Sequence, residues 1–175
     1  MVNCVVPVGL FIAIIGMHNI YRSVYGYTDS MIISISLMGV LCSTGYTILA
    51  LYLSTRFNPY KLSLIRASAA ITVLVFTPLL LNNYPSLLMT MVIHGLICIL
   101  MCGEFHISGV MYRNVPTLKK FKFNAITFSV SRAFIAIISG FGLVVMQPYL
   151  GNYTYSVFGL PFLIGYLFEL KHFKY

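Results

Sequence analysis

Apolar residues in this chain gather in long runs separated by short polar breaks, a pattern unlike the mixed surface of a water-soluble domain. A helix needs about 20 predominantly apolar residues to cross a bilayer. Six stretches meet or approach that length, and the pattern predicts a span over each: about 5–20, 31–53, 65–81, 86–112, 125–149 and 153–170. The first is short and opens at Pro7. It lacks the basic lead and small-residue cleavage site of a signal peptide, so it reads as part of the mature chain. Pro78 is expected to kink the third span or end its regular part, and Pro161 interrupts the sixth. The chain thus reads as all-α: one polytopic domain of six transmembrane helices with short loops, without repeats or a second domain.

The polar breaks set the orientation. If the N-terminus lies on side A, that side receives Arg56, Lys61 and Arg66 after the second span and Arg113, Lys119, Lys120 and Lys122 after the fourth. Lys171 and Lys174 after the sixth make nine basic residues there. Side B receives Arg22 alone, and Arg132 falls within the fifth span. Basic loops stay in the cytosol, which makes side A cytosolic and both termini internal. The sequon Asn152-Tyr153-Thr154 falls on side B, too near the membrane for efficient glycosylation.

Composition excludes the soluble classes. Of 175 residues, 59% are hydrophobic and 8% charged, against about 45–50% and about 25% in a soluble domain. Eleven Lys/Arg against three acids give a net charge of +8. In a soluble chain that surplus suggests nucleic acid; here topology and anionic lipid headgroups account for it, and Lys119, Lys120 and Lys122 are the headgroup candidates. Cys4, Cys42, Cys98 and Cys102 lie in or beside apolar runs and read as packing residues. Cys98 and Cys102 alone are too few for a zinc site. No metal and no cofactor are expected.

Candidate chemistry centres on the fourth span, where His94, Glu104 and His106 interrupt an apolar run. An ionisable residue in hydrocarbon costs about 2.5–3.5 kcal/mol on insertion scales and normally faces protein or a cavity. Counted from Arg113 and Asn124 at about 1.5 Å per residue, Glu104 and Arg132 both lie roughly 12–14 Å deep, so they are expected to pair. Such a pair either fixes helix register or forms a relay. Haem b enters through His18 with His94 near side B and His106 with His172 nearer side A, the two heights of a dihaem protein; polar helix contacts are the competing reading. Ala136 and Gly140, with Gly142 nearby, form one small-residue seam for helix contact, and Gly39 with Ser43 another. Hydroxyls at Ser34, Ser36, Ser43, Thr44 and Thr47 suit bonds to the preceding turn better than a pore. Asp29 and His18 offer weak acid–base chemistry on side B, and no catalytic set or phosphate loop is present.

Several short motifs carry a resemblance. Val6-Pro7 opens the chain, Tyr27-Thr28-Asp29-Ser30 precedes the second span and Leu53-Ser54-Thr55-Arg56-Phe57 closes it. Ile93-His94 stands early in the fourth, Arg132 early in the fifth, and Tyr166-Leu167-Phe168-Glu169 ends the sixth. With these the chain resembles a divergent member of the six-span family that contains the damage-regulated autophagy modulator (DRAM) and a GPI-anchor-remodelling factor. The resemblance implies a six-helix bundle and roles in lipid handling, trafficking or autophagy, with no shared catalytic motif. The first external loop is shorter than that family's, and its small-residue run after the histidine of the fourth span is missing.

The leading functional expectation is a non-enzymatic accessory or scaffold subunit, or a lipid-associated regulator. Membrane lipids and another integral membrane protein are its partners, in an endomembrane (ER, Golgi or lysosome) or the plasma membrane. The alternatives are a small transporter or channel using Glu104, Arg132 and His94, and a haem-binding or respiratory subunit of the mitochondrial inner membrane.

Overall fold

The structure, a computed structural model, describes residues 2–102 and 116–171, and those residues are helical apart from short connections. The first rod joins α1 (Val2–Phe11) through a π-helical stretch (Ile12–Gly16) to α2 (Met17–Ser23). Next come α3 (Asp29–Arg56), α4 (Pro59–Asn83) and α5 (Leu87–Ile97), which runs on in π-helical form over Cys98–Cys102. A long helix, α6 (Thr117–Leu150), turns through Gly151–Tyr153 into α7 (Thr154–Leu170). Four helical runs are long and apolar enough to cross a membrane: Cys4–Ser23, Asp29–Arg56, Pro59–Asn83 and Lys119–Leu170; Leu87–Cys102 is apolar but shorter. An integral membrane protein is compatible with this set.

The first rod is the axis. Its 20-residue apolar window is 56% buried, against 17% for α3, as expected of a helix that is hydrophobic all round. Val5, Val8, Ile12, Met17, Ile20 and Tyr21 are all fully enclosed. Close approach depends on missing side chains. A Cβ at Gly9 would stand 2.6 Å from Met101 Cβ, and one at Gly159 would stand 2.4 Å from Leu74 Cδ1.

Two boundaries differ from the apolar runs. Helix α4 begins at Pro59 rather than near residue 65, because Asn58 caps it: its side chain accepts from Tyr60 N at 2.9 Å, and Pro59 fills the first helical position. Pro78 neither ends α4 nor cuts it short, since the helix continues to Asn83. Proline supplies no N–H to the carbonyl four residues back, here Leu74, and Ser156 of α7 donates to that oxygen at 2.5 Å. Pro161 likewise sits inside a continuous α7. Of the expected fourth span, residues 103–112 lie outside the described residues.

At one end of the bundle the connections 24–28 and 151–153 meet the last turn of α4. Tyr25 Oη donates to the Leu81 carbonyl at 3.3 Å, and Asn152 Nδ2 donates to Tyr25 Oη at 2.9 Å and to Asn82 Oδ1 at 2.6 Å. Asn152, the sequon residue, is only 7% exposed and its amide nitrogen is engaged. On the rim, Arg22 and Asp29 form a salt bridge.

Burial raises the Tyr25 hydroxyl above the ordinary tyrosine range, only partly offset by the Asn152 hydrogen bond. A raised folded value means that the stability from this hydroxyl is complete below about pH 10 and is lost as pH rises through the folded value. Tyr25→Phe should lower the unfolding temperature at neutral pH by the equivalent of about 1 kcal/mol and flatten the alkaline limb. Thermal unfolding in detergent from pH 7 to 12 measures both.

Candidate functional site: a polar core beneath the joined loops

Side chains from the first rod, α3 and α5 build a polar core just below the joined connections. His94, on α5, is 3% exposed. The Cδ2–Nε2 edge of its ring packs against α3 because Gly39 offers no side chain there. A Cβ at Gly39 would stand 2.6 Å from His94 Cδ2, 2.9 Å from His94 Nε2 and 2.9 Å from Cys98 Sγ. Tyr21 Oη lies 3.3 Å from His94 Nδ1 and 3.5 Å from Met17 Sδ. Cys98, one turn along, is buried and faces the same Gly39 backbone.

His18 extends the core outward. Its Nε2 is 2.6 Å from Ser36 Oγ of α3, and its Nδ1 faces the Ile14 carbonyl in the π-helical stretch. A carbonyl only accepts, so Nδ1 carries a hydrogen, while the Ser36 hydroxyl that Nε2 meets also bonds the Ile32 carbonyl. The His18 and His94 rings stand 6.4 Å apart between centroids. Above them Tyr27 Oη meets Thr90 Oγ1 at 3.2 Å, and the Tyr25 and Tyr27 rings stack at 5.6 Å. Sequence placed His18 and His94 at one height. The structure brings them together, and protein atoms occupy both nitrogens of His18 and Nδ1 of His94.

Deeper in the bundle stands Arg66, assigned by sequence to a cytosolic loop. It lies eight positions into α4 and is 3% exposed. Arg66 Nε donates to the Leu100 carbonyl at 3.0 Å and Nη2 to that of Ile99 at 2.9 Å, while the guanidinium sits 4.9 Å from the centre of the Tyr46 ring. The accepting carbonyls belong to the π-helical stretch Cys98–Cys102. π-Winding departs from the regular α-helical ladder, and the forked guanidinium reaches two successive carbonyls of that stretch. Asn58-Pro59, a helix-start signal, was the clue in the sequence: it places Arg66 inside a helix.

The remaining candidates separate. Glu104, His106 and His172 lie outside the described residues, so the Glu104–Arg132 pairing does too. Arg132 is exposed, with its guanidinium 4.1 Å over the Phe128 ring. It stands eighteen residues before Leu150, and α7 runs 17 residues after the same turn, which sets Arg132 level with the far end of α7 near Glu169 and Lys171. Gly39 faces inward. Ala136 is exposed and Gly140 half-buried, with nothing within 4 Å of a Cβ placed at Gly140, whereas one at Gly142 would meet Phe158 at 2.6 Å. Ser43 is half-buried, and its carbonyl accepts from Thr47. Ser34 and Ser36 likewise donate to the preceding turn. Lys119 and Lys122 are exposed and Lys120 half-buried at the start of α6. Among the described residues, no three His, Cys, Asp or Glu side chains are grouped to hold a metal ion.

Compared with protein-family models, curated proteins and solved structures, the chain finds no match.

Two substitutions test the core. Gly39→Ala should displace His94 and destabilise the fold by about 1–3 kcal/mol, the usual cost of overpacking. Arg66→Gln should cost about 2–4 kcal/mol, because buried carbonyls lose charged donors; Arg66→Lys should recover only part of that. Thermal unfolding of the detergent-solubilised protein reads all three.

Proposed function

We propose that the chain is a non-enzymatic accessory subunit of a membrane complex, a six-span bundle with both termini cytosolic that docks another integral membrane protein along α6. One observation carries this reading: of the small-residue seams, Gly39 is consumed inside the bundle, while Ala136 and Gly140 face outward with open space at Gly140. Small residues on an outer face let a second helix approach backbone to backbone, which lipid does not require. The short connections leave little room for an extramembrane active site. The resemblance to the six-span family of membrane trafficking and lipid handling agrees with this reading, and the location proposed with it is an endomembrane.

Affinity purification in mild detergent tests it. The wild type should bring down a stoichiometric membrane protein, and Gly140→Leu should release it with the unfolding temperature unchanged within about 1 °C. Recovery of a lone particle from the wild type, or an undiminished partner in Gly140→Leu, overturns the proposal.

A second reading draws on the polar core. Two hydrogen-bonded pairs, His18 with Ser36 and Tyr21 with His94, lie side by side with the histidine rings 6.4 Å apart, and such residues often line transport paths. A small transporter should lose flux in reconstituted vesicles on His94→Gln or Glu104→Gln while remaining folded.

A further inference from the structure

The end of the bundle that carries the joined connections also holds a groove of about 560 Å3 between α2 and the last turn of α6. That size lies within the roughly 300–1,000 Å3 of small-molecule sites. Its polar wall is Asn19, Arg22 and Gln147, and its apolar wall is Val24, Val144 and Pro148. Arg22 closes the first rod and Pro148 nearly closes α6. In the proposed topology the groove therefore opens at the headgroup level of the side B leaflet.

Two features specify the occupant. The first is charge. Arg22 is paired with Asp29, and both side chains remain largely exposed, at 71% and 74%. A guanidinium has five N–H donors, so Arg22 keeps donors for a phosphate while Asp29 stands ready for an ammonium. A purely anionic group would meet the carboxylate. The second is an apolar track. Pro148, Val144, Phe141 and Ile137 follow one another at helical spacing on one face of α6, and the last three are 57%, 74% and 63% exposed. The track runs about 16 Å down the helix, close to half of a hydrocarbon core about 30 Å thick. A soluble phosphate has no use for that track, whereas an acyl chain of one leaflet matches it. We infer that this groove binds the headgroup of a zwitterionic glycerophospholipid whose chain lies along α6 from Pro148 to Ile137.

The track adjoins the proposed partner seam, since Val144 lies one turn from Gly140 on α6. The inference rests on the groove and not on that seam, and a lipid response without a protein partner, or the reverse, tells the two apart. The test uses the full-length protein in mild detergent. Its unfolding temperature is followed against dihexanoyl-phosphatidylcholine, dihexanoyl-phosphatidylethanolamine, dihexanoyl-phosphatidylglycerol and inorganic phosphate. One of the two zwitterionic lipids should raise that temperature saturably, with phosphatidylglycerol at least tenfold weaker and phosphate without effect. Arg22→Gln should weaken the lipid response at least tenfold. Phe141→Gln, a change on an exposed face that leaves the groove intact, should weaken it several-fold and so keeps the proposal testable if Arg22→Gln fails to fold. A response to phosphate as strong as to lipid makes this a simple anion site and overturns the inference. So does a preference for phosphatidylglycerol, the absence of any lipid response, or full retention of the response in Phe141→Gln.

Discussion

In hydrocarbon no water is at hand to bond a backbone carbonyl that has lost its helical donor, and each such orphan costs several kcal/mol. The bundle is organised around this constraint. Where Pro78 removes a donor from Leu74, Ser156 of α7 takes its place. Where the bonding ladder widens over Cys98–Cys102, Arg66 of α4 donates to two carbonyls. Where the first rod widens at Ile12–Gly16, His18 turns back onto Ile14. Each irregularity in one helix thus becomes a polar attachment point, and two of the three join different helices.

Glycine completes the arrangement by letting those attachments lie close. Gly9, Gly39 and Gly159 stand where a methyl group would collide with Met101, His94 and Leu74. Small residues and directed hydrogen bonds are the main means of holding helices together in lipid, where burying another leucine gains little. The polar core fits the same logic. His94 is enclosed because Tyr21 bonds its Nδ1 and the bare backbone at Gly39 accepts its ring.

Apolar run length made the helical segments legible, since it reports directly on what hydrocarbon tolerates. Their ends were less legible, because helices continue through polar residues that an apolar count discards; Arg66 was thereby assigned to a loop although Asn58-Pro59 marks a helix start. Whether Pro78 ends the helix was illegible for a different reason: that depends on whether a neighbour can bond Leu74, and Ser156 is 82 residues away. The seams at Gly39 and Gly140 look alike in sequence and differ only in what surrounds them. His18 and His94 were rightly placed at one height, but a depth count does not reveal that Ser36 and Tyr21 engage them.

The two C-terminal helices differ greatly in length. The apolar part of α6, residues 125–149, measures about 37 Å, and the 17 residues of α7 about 25 Å. They share a turn at one face, so the whole difference of about 12 Å falls on the other. A flat bilayer of uniform thickness matches only one of them, and mismatch carries a cost that grows with each ångström. If each crosses one bilayer as in the proposed topology, the surrounding leaflet would thin beside α7 and thicken beside α6, or the pair would lean. In that topology the protein would carry its own local slope, and a bent or uneven membrane would accommodate it at lowest cost.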